Sequence, residues 1–236
     1  MSGPRYPNQQ LESVSLETYF PGRFSMFSKM SDIQDSLISE LPNLYVPSVR
    51  DGEPLALRPY ELRSADNRTS LAVAINQLSF ISRRYPGYEK FVHAAVKVLD
   101  HPLEKMGVAE LSRVIYRYQN KIGILRKDDG SIPLGDIFVE SFAGMFGSND
   151  ATQVDASWTQ KADGGLLSVA LVVDPDVPFS SLRLGIAGVI QPAGAASDLA
   201  SYARTAHERA SNYFESIICD AFRQTLTGGH DDDDGT

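Results

Sequence analysis

Apolar residues at every second position mark the strands of this chain. The clearest alternations predict strands at residues 13–20, 70–82 and 111–125. In the second of these, the apolar face changes at Asn76 and Gln77, which predicts a bulge or a sheet edge because a regular strand keeps its parity. Three further strand signals are separated by turns too short for helical crossovers, and they predict an antiparallel meander: 152–160, 166–173 and 181–190.

Apolar residues three and four positions apart mark the helices. This spacing predicts helices at residues 28–41, 86–103 and 197–226, with one further short helix at 137–146. Pro102 is expected to end the second helix, because a proline ring clashes with continued helix. The third helix would run for about eight turns, enough to cross a whole domain.

The predicted elements follow the order β-α-β-β-α-β, then three strands and a long helix, with no internal repeat at a fixed period. This order predicts an α+β fold: a single domain with an antiparallel sheet, helices packed mainly on one face and a long C-terminal helix. The composition of the two ends divides the chain into a flexible arm at residues 1–12, the α+β domain at 13–227 and a disordered acidic tail at 228–236.

Composition is typical of a globular protein from a reducing compartment. The chain has 236 residues, of which 42% are hydrophobic, and a formal net charge of -8. The lone Cys219 excludes an internal disulfide and a Cys-rich zinc site. The first residues lack the apolar segment of a signal peptide, and no apolar run approaches the ~20 residues of a membrane-spanning helix. We therefore expect a cytoplasmic protein that does not associate with membranes.

Motifs that would carry catalysis or bind a cofactor are absent from the sequence. It contains no phosphate-binding P-loop, no dinucleotide-binding glycine motif and no Gly-x-Ser-x-Gly nucleophile motif. His207 and Glu208 begin a zinc-binding helix motif, but Ser211 stands where the second histidine would be needed. Carboxylate pairs such as Asp128 and Asp129 lie in turns, where nothing places them around a cleft. The sequence therefore predicts no catalytic residue, no metal site and no cofactor, and it favours a non-enzymatic protein.

Charge is distributed unevenly along the chain. Residues 83–127 contain ten Lys and Arg against four Asp and Glu, a net charge of +6, whereas the remainder carries -14. Within this segment, the 111–125 strand alternates apolar and cationic residues, so one of its faces is expected to be basic. The candidate binding residues on this strand are Arg113, Arg117, Tyr118, Asn120 and Lys121. Such a row can bind phosphate or an acidic partner, pair with the protein's own acidic remainder, or protect an exposed strand from aggregation.

Three segments resemble a sporadically distributed family of bacterial proteins of similar length whose function is unassigned. Residues 85–91, Tyr-Pro-Gly-Tyr-Glu-Lys-Phe, are similar to a Tyr-Pro-x-Trp-x-x-Phe helix start, with Tyr88 at the position of the usual Trp. Residues 117–122 are similar to an Arg-Tyr-x-Asn-x-Ile strand, and the closing helix with His207 is similar to the family's last helix. The resemblance supports the predicted order of strands and helices and implies no catalytic residues. The family's scattered occurrence is similar to that of defence and toxin–antitoxin genes.

Our first hypothesis for the function is a non-enzymatic protein-binding or accessory factor, as in a bacterial defence or toxin–antitoxin locus. It would act through a protein partner of unknown identity. The sequence leaves open whether the protein also forms a homodimer. The absent catalytic motifs, the cationic strand face and the acidic remainder motivate this hypothesis.

Two alternatives remain open from the sequence. The first is an enzyme or a domain that binds a small molecule or anion in a pocket between sheet and helices, where Arg117 would hold an anion that Tyr118 and Asn120 orient. The second is nucleic-acid binding through the basic segment, which the acidic remainder disfavours. The exposure of Tyr118 and Asn120 distinguishes the pocket from the surface.

Overall fold

One antiparallel sheet organises the part of the chain that the computed structural model describes, residues 10–47, 59–147, 151–174 and 179–227. In these residues it has nine strands, which are β1 Leu11–Tyr19, β2 Asn43–Tyr45, β3 Tyr60–Arg63, β4 Thr69–Ala74, β5 Gln77–Ser82, β6 Arg113–Leu125, β7 Asp155–Ala162, β8 Gly165–Val173 and β9 Phe179–Ile190. They lie side by side in the order β2-β3-β4-β5-β1-β6-β9-β8-β7. All neighbours are antiparallel, which confirms the predicted sheet and its meander.

Helices cover one side of this sheet. Within the described ranges they are α1 Ser25–Leu37, α2 Tyr88–Lys105, α3 Glu140–Ala143, α4 Leu199–Ile217 and α5 Asp220–Thr227. The buried apolar residues of all five helices belong to one cluster, which also contains the inward-facing residues of the strands. The predicted α+β class, with a single domain and a long C-terminal helix, is confirmed.

The topology consists of two similar halves. The first half runs through β1, α1, the strands β2 to β5 and α2, and the second through β6, α3, the strands β7 to β9 and α4. Strands β1 and β6 pair at the centre, and the remaining strands of each half extend outward from them. The sequence shows no repeat at a fixed period, so this approximate twofold order is a property of the fold.

The predicted helix at 197–226 is interrupted. Helix α4 ends at Ile217, Ile218 is extended, and α5 begins at Asp220. At the break, the backbone N–H of Val139 donates to the Ile217 carbonyl over 2.9 Å, and that of Cys219 donates to the Ile137 carbonyl over 3.0 Å. A distant segment thus bonds to the backbone groups that a continuous helix would have used, which explains the interruption.

Pro102 does not end the second helix, which continues to Lys105. Proline removes one N–H donor, but its carbonyl still accepts. The backbone N–H of Met106 donates to the Pro102 carbonyl over 3.0 Å. The last turn of α2 is therefore hydrogen-bonded beyond the proline.

The change of face at residues 76–77 marks a tight turn, and the predicted bulge or edge is wrong. Strands β4 and β5 form a hairpin in which Ala74 pairs with Gln77. Ile75 and Asn76 form the turn between them. The chain reverses there, so the alternation of apolar residues in β5 need not continue that of β4.

The terminal predictions lie mostly outside the described residues. The acidic tail at 228–236 falls outside them, as does the start of the arm at 1–12, and β1 begins at Leu11, within the predicted arm. Among the helices that the structure describes, none is both long and apolar enough to span a membrane.

Helix α4 approaches the sheet very closely. Ala203, Ala206 and Ala210 on its inner side are completely buried. A Cβ atom added to Gly188 of β9 would lie 1.9 Å from the carbonyl oxygen of Ala206. The small residues Gly188 and Ala206 set the distance between helix and sheet, because the Ala206 carbonyl oxygen occupies the position that a side chain on Gly188 would need.

We predict that Gly188→Ala destabilises the protein by about 3 kcal/mol, since α4 must move outward to admit the methyl group. Gly123→Ala is the matched control on neighbouring β6, because its added Cβ meets nothing within 4 Å. The free energy of unfolding, measured by guanidinium titration, checks both variants. Equal stability of the two would contradict the close approach of α4.

Candidate functional site

The sheet has a second face that no helix covers in the part of the chain that the structure describes. We call it the open face. It contains a small apolar cluster of Ile115, Ala187 and Val189, separate from the cluster to which the helices belong. Register and burial place alternate residues of each strand here; the central members are Ser15, Glu17, Tyr19, Arg113, Ile115, Arg117, Gln119, Lys121, Arg183, Gly185, Ala187 and Val189.

Cations outnumber acids on the open face. Arg113, Arg117 and Lys121 of β6 form a row, at intervals of about 13 Å along the strand. Arg183 of β9 lies directly opposite Lys121. Along the described strands this face carries six basic residues, Arg63, Arg113, Arg117, Lys121, Lys161 and Arg183, against four acidic ones, Glu17, Glu61, Asp155 and, directly after β8, Asp174. It is therefore positive on a chain whose net charge is -8.

A buried carboxylate organises the middle of the row. Glu17 is only 8% exposed. Its Oε1 accepts hydrogen bonds from Arg117 Nε and Ser15 Oγ, each at 3.0 Å, and its Oε2 accepts one from Tyr19 Oη at 3.1 Å. A buried charge is tolerated when it is paired and hydrogen-bonded in this way.

Tyr19 holds a second arginine by its ring. The Arg113 guanidinium carbon lies 3.9 Å from the Tyr19 ring centroid, a cation–π contact. Burial, together with the negative charge of Glu17, raises the pKa of the Tyr19 hydroxyl, so the phenol stays protonated as a donor. Strand β1 thus fixes two of the three cations of the row.

The outer end of the row is looser. The exposed Arg183 forms an ion pair with Asp174 at 2.5 Å. Lys121 is exposed beside it. Like charges directly opposite each other on a sheet are destabilising. Asp174 offsets this repulsion at Arg183, and the Lys121 side chain remains exposed to solvent.

Tyr118 and Asn120 do not belong to this face. They point to the helix side of β6, where Tyr118 Oη lies 2.7 Å from His207 Nδ1 and 3.2 Å from Tyr85 Oη. Asn120 Nδ2 donates to the Leu184 carbonyl at 3.3 Å. The five candidate residues from the sequence are therefore divided: Arg113, Arg117 and Lys121 lie on the open face, and the other two lie in the core.

The hypothetical anion pocket of Arg117, Tyr118 and Asn120 is not formed, because Arg117 lies on the opposite side of the sheet from the other two residues. A cavity of about 190 Å³ does lie between α2 and strands β4 and β5. Its lining, which includes Asp66, Arg68, Ser82, Arg84 and Phe91, contains none of the three predicted residues.

Sequence reasoning missed a cluster of rings beneath β6. Tyr88 stacks on His207 with the ring centroids 4.1 Å apart, and Tyr85, Tyr116 and Tyr118 surround the pair. Burial lowers the pKa of His207 to about 4, and it raises the pKa values of Tyr116 and Tyr118 well above 10. Tyr88, Tyr116, Tyr118 and His207 are thus neutral near pH 7, which suits a core. Apart from Tyr116, the rings of the cluster come from the three segments that carry the family resemblance.

Much of the remaining basic segment has structural partners. The buried Arg126 bonds to Ser180 Oγ at 2.7 Å and to the carbonyls of Gly130, Thr152 and Asp174. Lys97 lies 3.4 Å from Glu40. The local charge of +6 therefore does not form one surface, and the row on β6 is its contribution to the open face.

Metal ligands do not gather in the described residues, where no group of three His, Cys, Asp or Glu side chains could hold an ion. His207, the histidine of the incomplete zinc motif, is instead buried and bonded to Tyr118.

Comparison with known proteins adds little to this description. No family model matches the sequence, and no curated protein is significantly similar to it. Among solved structures, the TBP of Methanococcus jannaschii is 10% identical over 89% of this chain and 99% of that chain, with a TM-score of 0.26. A score this low does not establish a common fold, so function is inferred below from the chain's own side chains.

We predict that Tyr118→Phe destabilises the protein by about 2 kcal/mol, because it leaves buried His207 Nδ1 without its partner. Tyr202→Phe is the matched control, since its hydroxyl is exposed and makes a long 3.5 Å contact with Asp198. Denaturant titration measures both. A similar small loss in the two variants would contradict a core role for Tyr118.

We also predict that acid weakens the fold through His207. The folded pKa of about 4 lies below the ordinary 6.5, so the unfolded chain binds the proton more tightly. The stabilisation is complete above pH 6.5 and is lost as the pH falls towards 4, by about 3 kcal/mol in total. His207→Gln should lack this component when unfolding is titrated across that range. An unchanged pH dependence in the variant would contradict the assignment.

Proposed function

We propose that this protein is a non-enzymatic binding protein whose open face binds an acidic surface of a protein partner. The observation that carries the proposal is the position of the cations. Arg113, Arg117 and Lys121, with Arg183 beside them, lie on the face that lacks a helical cover in the described residues. An acidic partner would complement this face, and complementary charge accelerates and orients association.

The charge of the open face favours a protein over a nucleic acid. Four acidic residues, Glu17, Glu61, Asp155 and Asp174, share the face with the cations. A phosphate backbone offers no N–H donor to these carboxylates and would meet them unfavourably. A polypeptide carries a backbone N–H at each residue and can place a donor at each acid.

The engagement of Tyr118 and Asn120 in core hydrogen bonds also supports a surface function. These two residues motivated the alternative of an enzyme or a small-molecule domain, and their donors and acceptors are used within the fold. The open face instead presents cations at wide intervals, a geometry that suits a macromolecular surface.

The biological setting is part of the proposal. The resemblance to a scattered bacterial family extends it to an accessory factor of a defence or toxin–antitoxin locus, acting in the cytoplasm. A homodimer through the open face would bring two positive surfaces together, so self-association would use another surface.

The experiment compares two variants of equal net charge. In the first, the exposed cations of the open face are neutralised by Lys121→Gln, Lys161→Gln and Arg183→Gln. In the control, Lys90→Gln, Lys97→Gln and Lys105→Gln neutralise exposed lysines of α2. The probe is poly-L-glutamate, with binding measured by fluorescence anisotropy at low salt. We expect about tenfold weaker binding for the first variant, from three exposed pairs, and about twofold at most for the control.

Equal weakening of the two variants would contradict the proposal, since only net charge would then matter. Tighter binding of single-stranded DNA than of polyglutamate by the unmodified protein would replace the protein partner by a nucleic acid. Size-exclusion chromatography with light scattering tests self-association. A dimer that the open-face variant dissociates would assign this face to a second copy of the chain.

A further inference from the structure

We infer that Arg113 and Arg117, held in place by Tyr19 and Glu17, form a receptor for two carboxylate side chains of the partner. Arg113 and Arg117 bind, and Glu17 and Tyr19 are positioning residues. This inference rests on the proposed function and identifies the chemistry of the same face: planar carboxylates from Asp or Glu, one at each arginine.

Arg117 is oriented by Glu17 rather than neutralised by it. The hydrogen bond to Glu17 occupies Nε, and 39% of the Arg117 side chain remains exposed. Glu17 is itself fixed, because Ser15 and Tyr19 donate to its two oxygens. The guanidinium is thus anchored at one edge. Its terminal Nη1 and Nη2 atoms form the fork that matches a carboxylate.

Arg113 is held by its face rather than by an edge. Stacking on Tyr19 at 3.9 Å uses the π surface of the guanidinium and leaves its N–H donors in the plane. The Nε of Arg113 is buried, and it has no hydrogen-bond partner among the residues that the structure describes. An unsatisfied buried donor costs free energy until an acceptor reaches it. Arg113 as a whole is only half-buried, so a carboxylate that displaces the groups over Nε would supply that acceptor.

The surface between the two arginines is apolar. Ile115 lies between them on β6, with Ala187 and Val189 beside it on β9, and all three are buried. Such a floor excludes water from the base of the site, which strengthens a charged hydrogen bond. The methylene groups of a partner's acidic side chains could pack on it.

The spacing of the two arginines favours two separate carboxylates over a single phosphate, which could not reach both guanidinium groups. The spacing along β6 is about 13 Å between Cα atoms, which an extended segment would match with acidic residues four positions apart. The class of ligand is therefore an acidic, extended protein segment.

The test uses a substitution for which positioning and simple attraction predict opposite signs. Glu17→Gln removes a negative charge from a positive face, so attraction alone predicts tighter binding of polyglutamate. An amide oxygen accepts only a weaker hydrogen bond from Arg117 Nε than the carboxylate does, so the loosened anchor predicts weaker binding, by about fivefold. Anisotropy on the full-length protein gives the affinity, and NMR of the Arg117 Nε–H reports the loss of the anchor. Unchanged or tighter binding would overturn the inference.

A second pair of variants applies even where Glu17→Gln fails to fold. Arg117→Lys keeps the charge and removes the fork, so about tenfold weaker binding is expected. Lys121→Arg is the control with no loss expected, since it keeps the charge of an exposed side chain outside the anchored pair. Equal affinity of the Arg117→Lys variant and the unmodified protein would overturn the inference, as would tighter binding of inorganic polyphosphate than of polyglutamate.

The two proposals fail separately. Where neutralising Lys121, Lys161 and Arg183 weakens binding but Glu17→Gln and Arg117→Lys do not, the open face binds by diffuse attraction and the receptor is wrong. Where neutralising the exposed cations has no effect beyond that of the α2 control, and neither Glu17→Gln nor Arg117→Lys weakens binding, the proposed function is wrong.

Discussion

The side-chain period of two residues along β6 is the constraint on which both faces of this molecule depend. Helices cover one side of a sheet centred on β1 and β6, so parity alone commits Tyr116 and Tyr118 to the core and Arg117 to the open face. Regular pairing with β1 and β9 carries this parity to Glu17 and Arg183. A slip of one residue would bury cations and expose tyrosines, so the register is strongly specified.

The close approach of α4 converts this parity into a specific core. Because Gly188 and Ala206 let the helix backbone reach the sheet, His207 comes within 2.7 Å of Tyr118 and stacks on Tyr88. The three segments that resemble the bacterial family therefore meet beneath β6. Packing accounts for their tyrosines and histidine, and the one resembling residue that reaches the open face is Arg117. The motifs thus describe how this fold is held together more than what it binds.

Features encoded within one segment could be predicted from the sequence, and features decided by distant segments could not. The alternation of β6 and the apolar stripe of α2 are local, and both are found where predicted. The break at Ile218 depends on a segment about 80 residues earlier, and the ion pair of Glu17 with Arg117 joins residues 100 positions apart. The parity of β6, however, already shows in the sequence that adjacent Arg117 and Tyr118 point to opposite faces of the sheet, so the candidate residues could not all share one site.

A carboxylate at the centre of a cationic face weakens long-range attraction, so its contribution there must be of another kind. Exposed Lys121 and Lys161 would attract an acidic partner over a long range. Salt screens this attraction, so it affects mainly the rate of encounter. Arg117, anchored through Nε, and Arg113, stacked on Tyr19, have lost rotational freedom before any partner arrives. Preorganisation of this kind lowers the entropy cost of binding and slows dissociation. If the open face binds a partner as proposed, the exposed cations would provide attraction and the two anchored arginines would provide register.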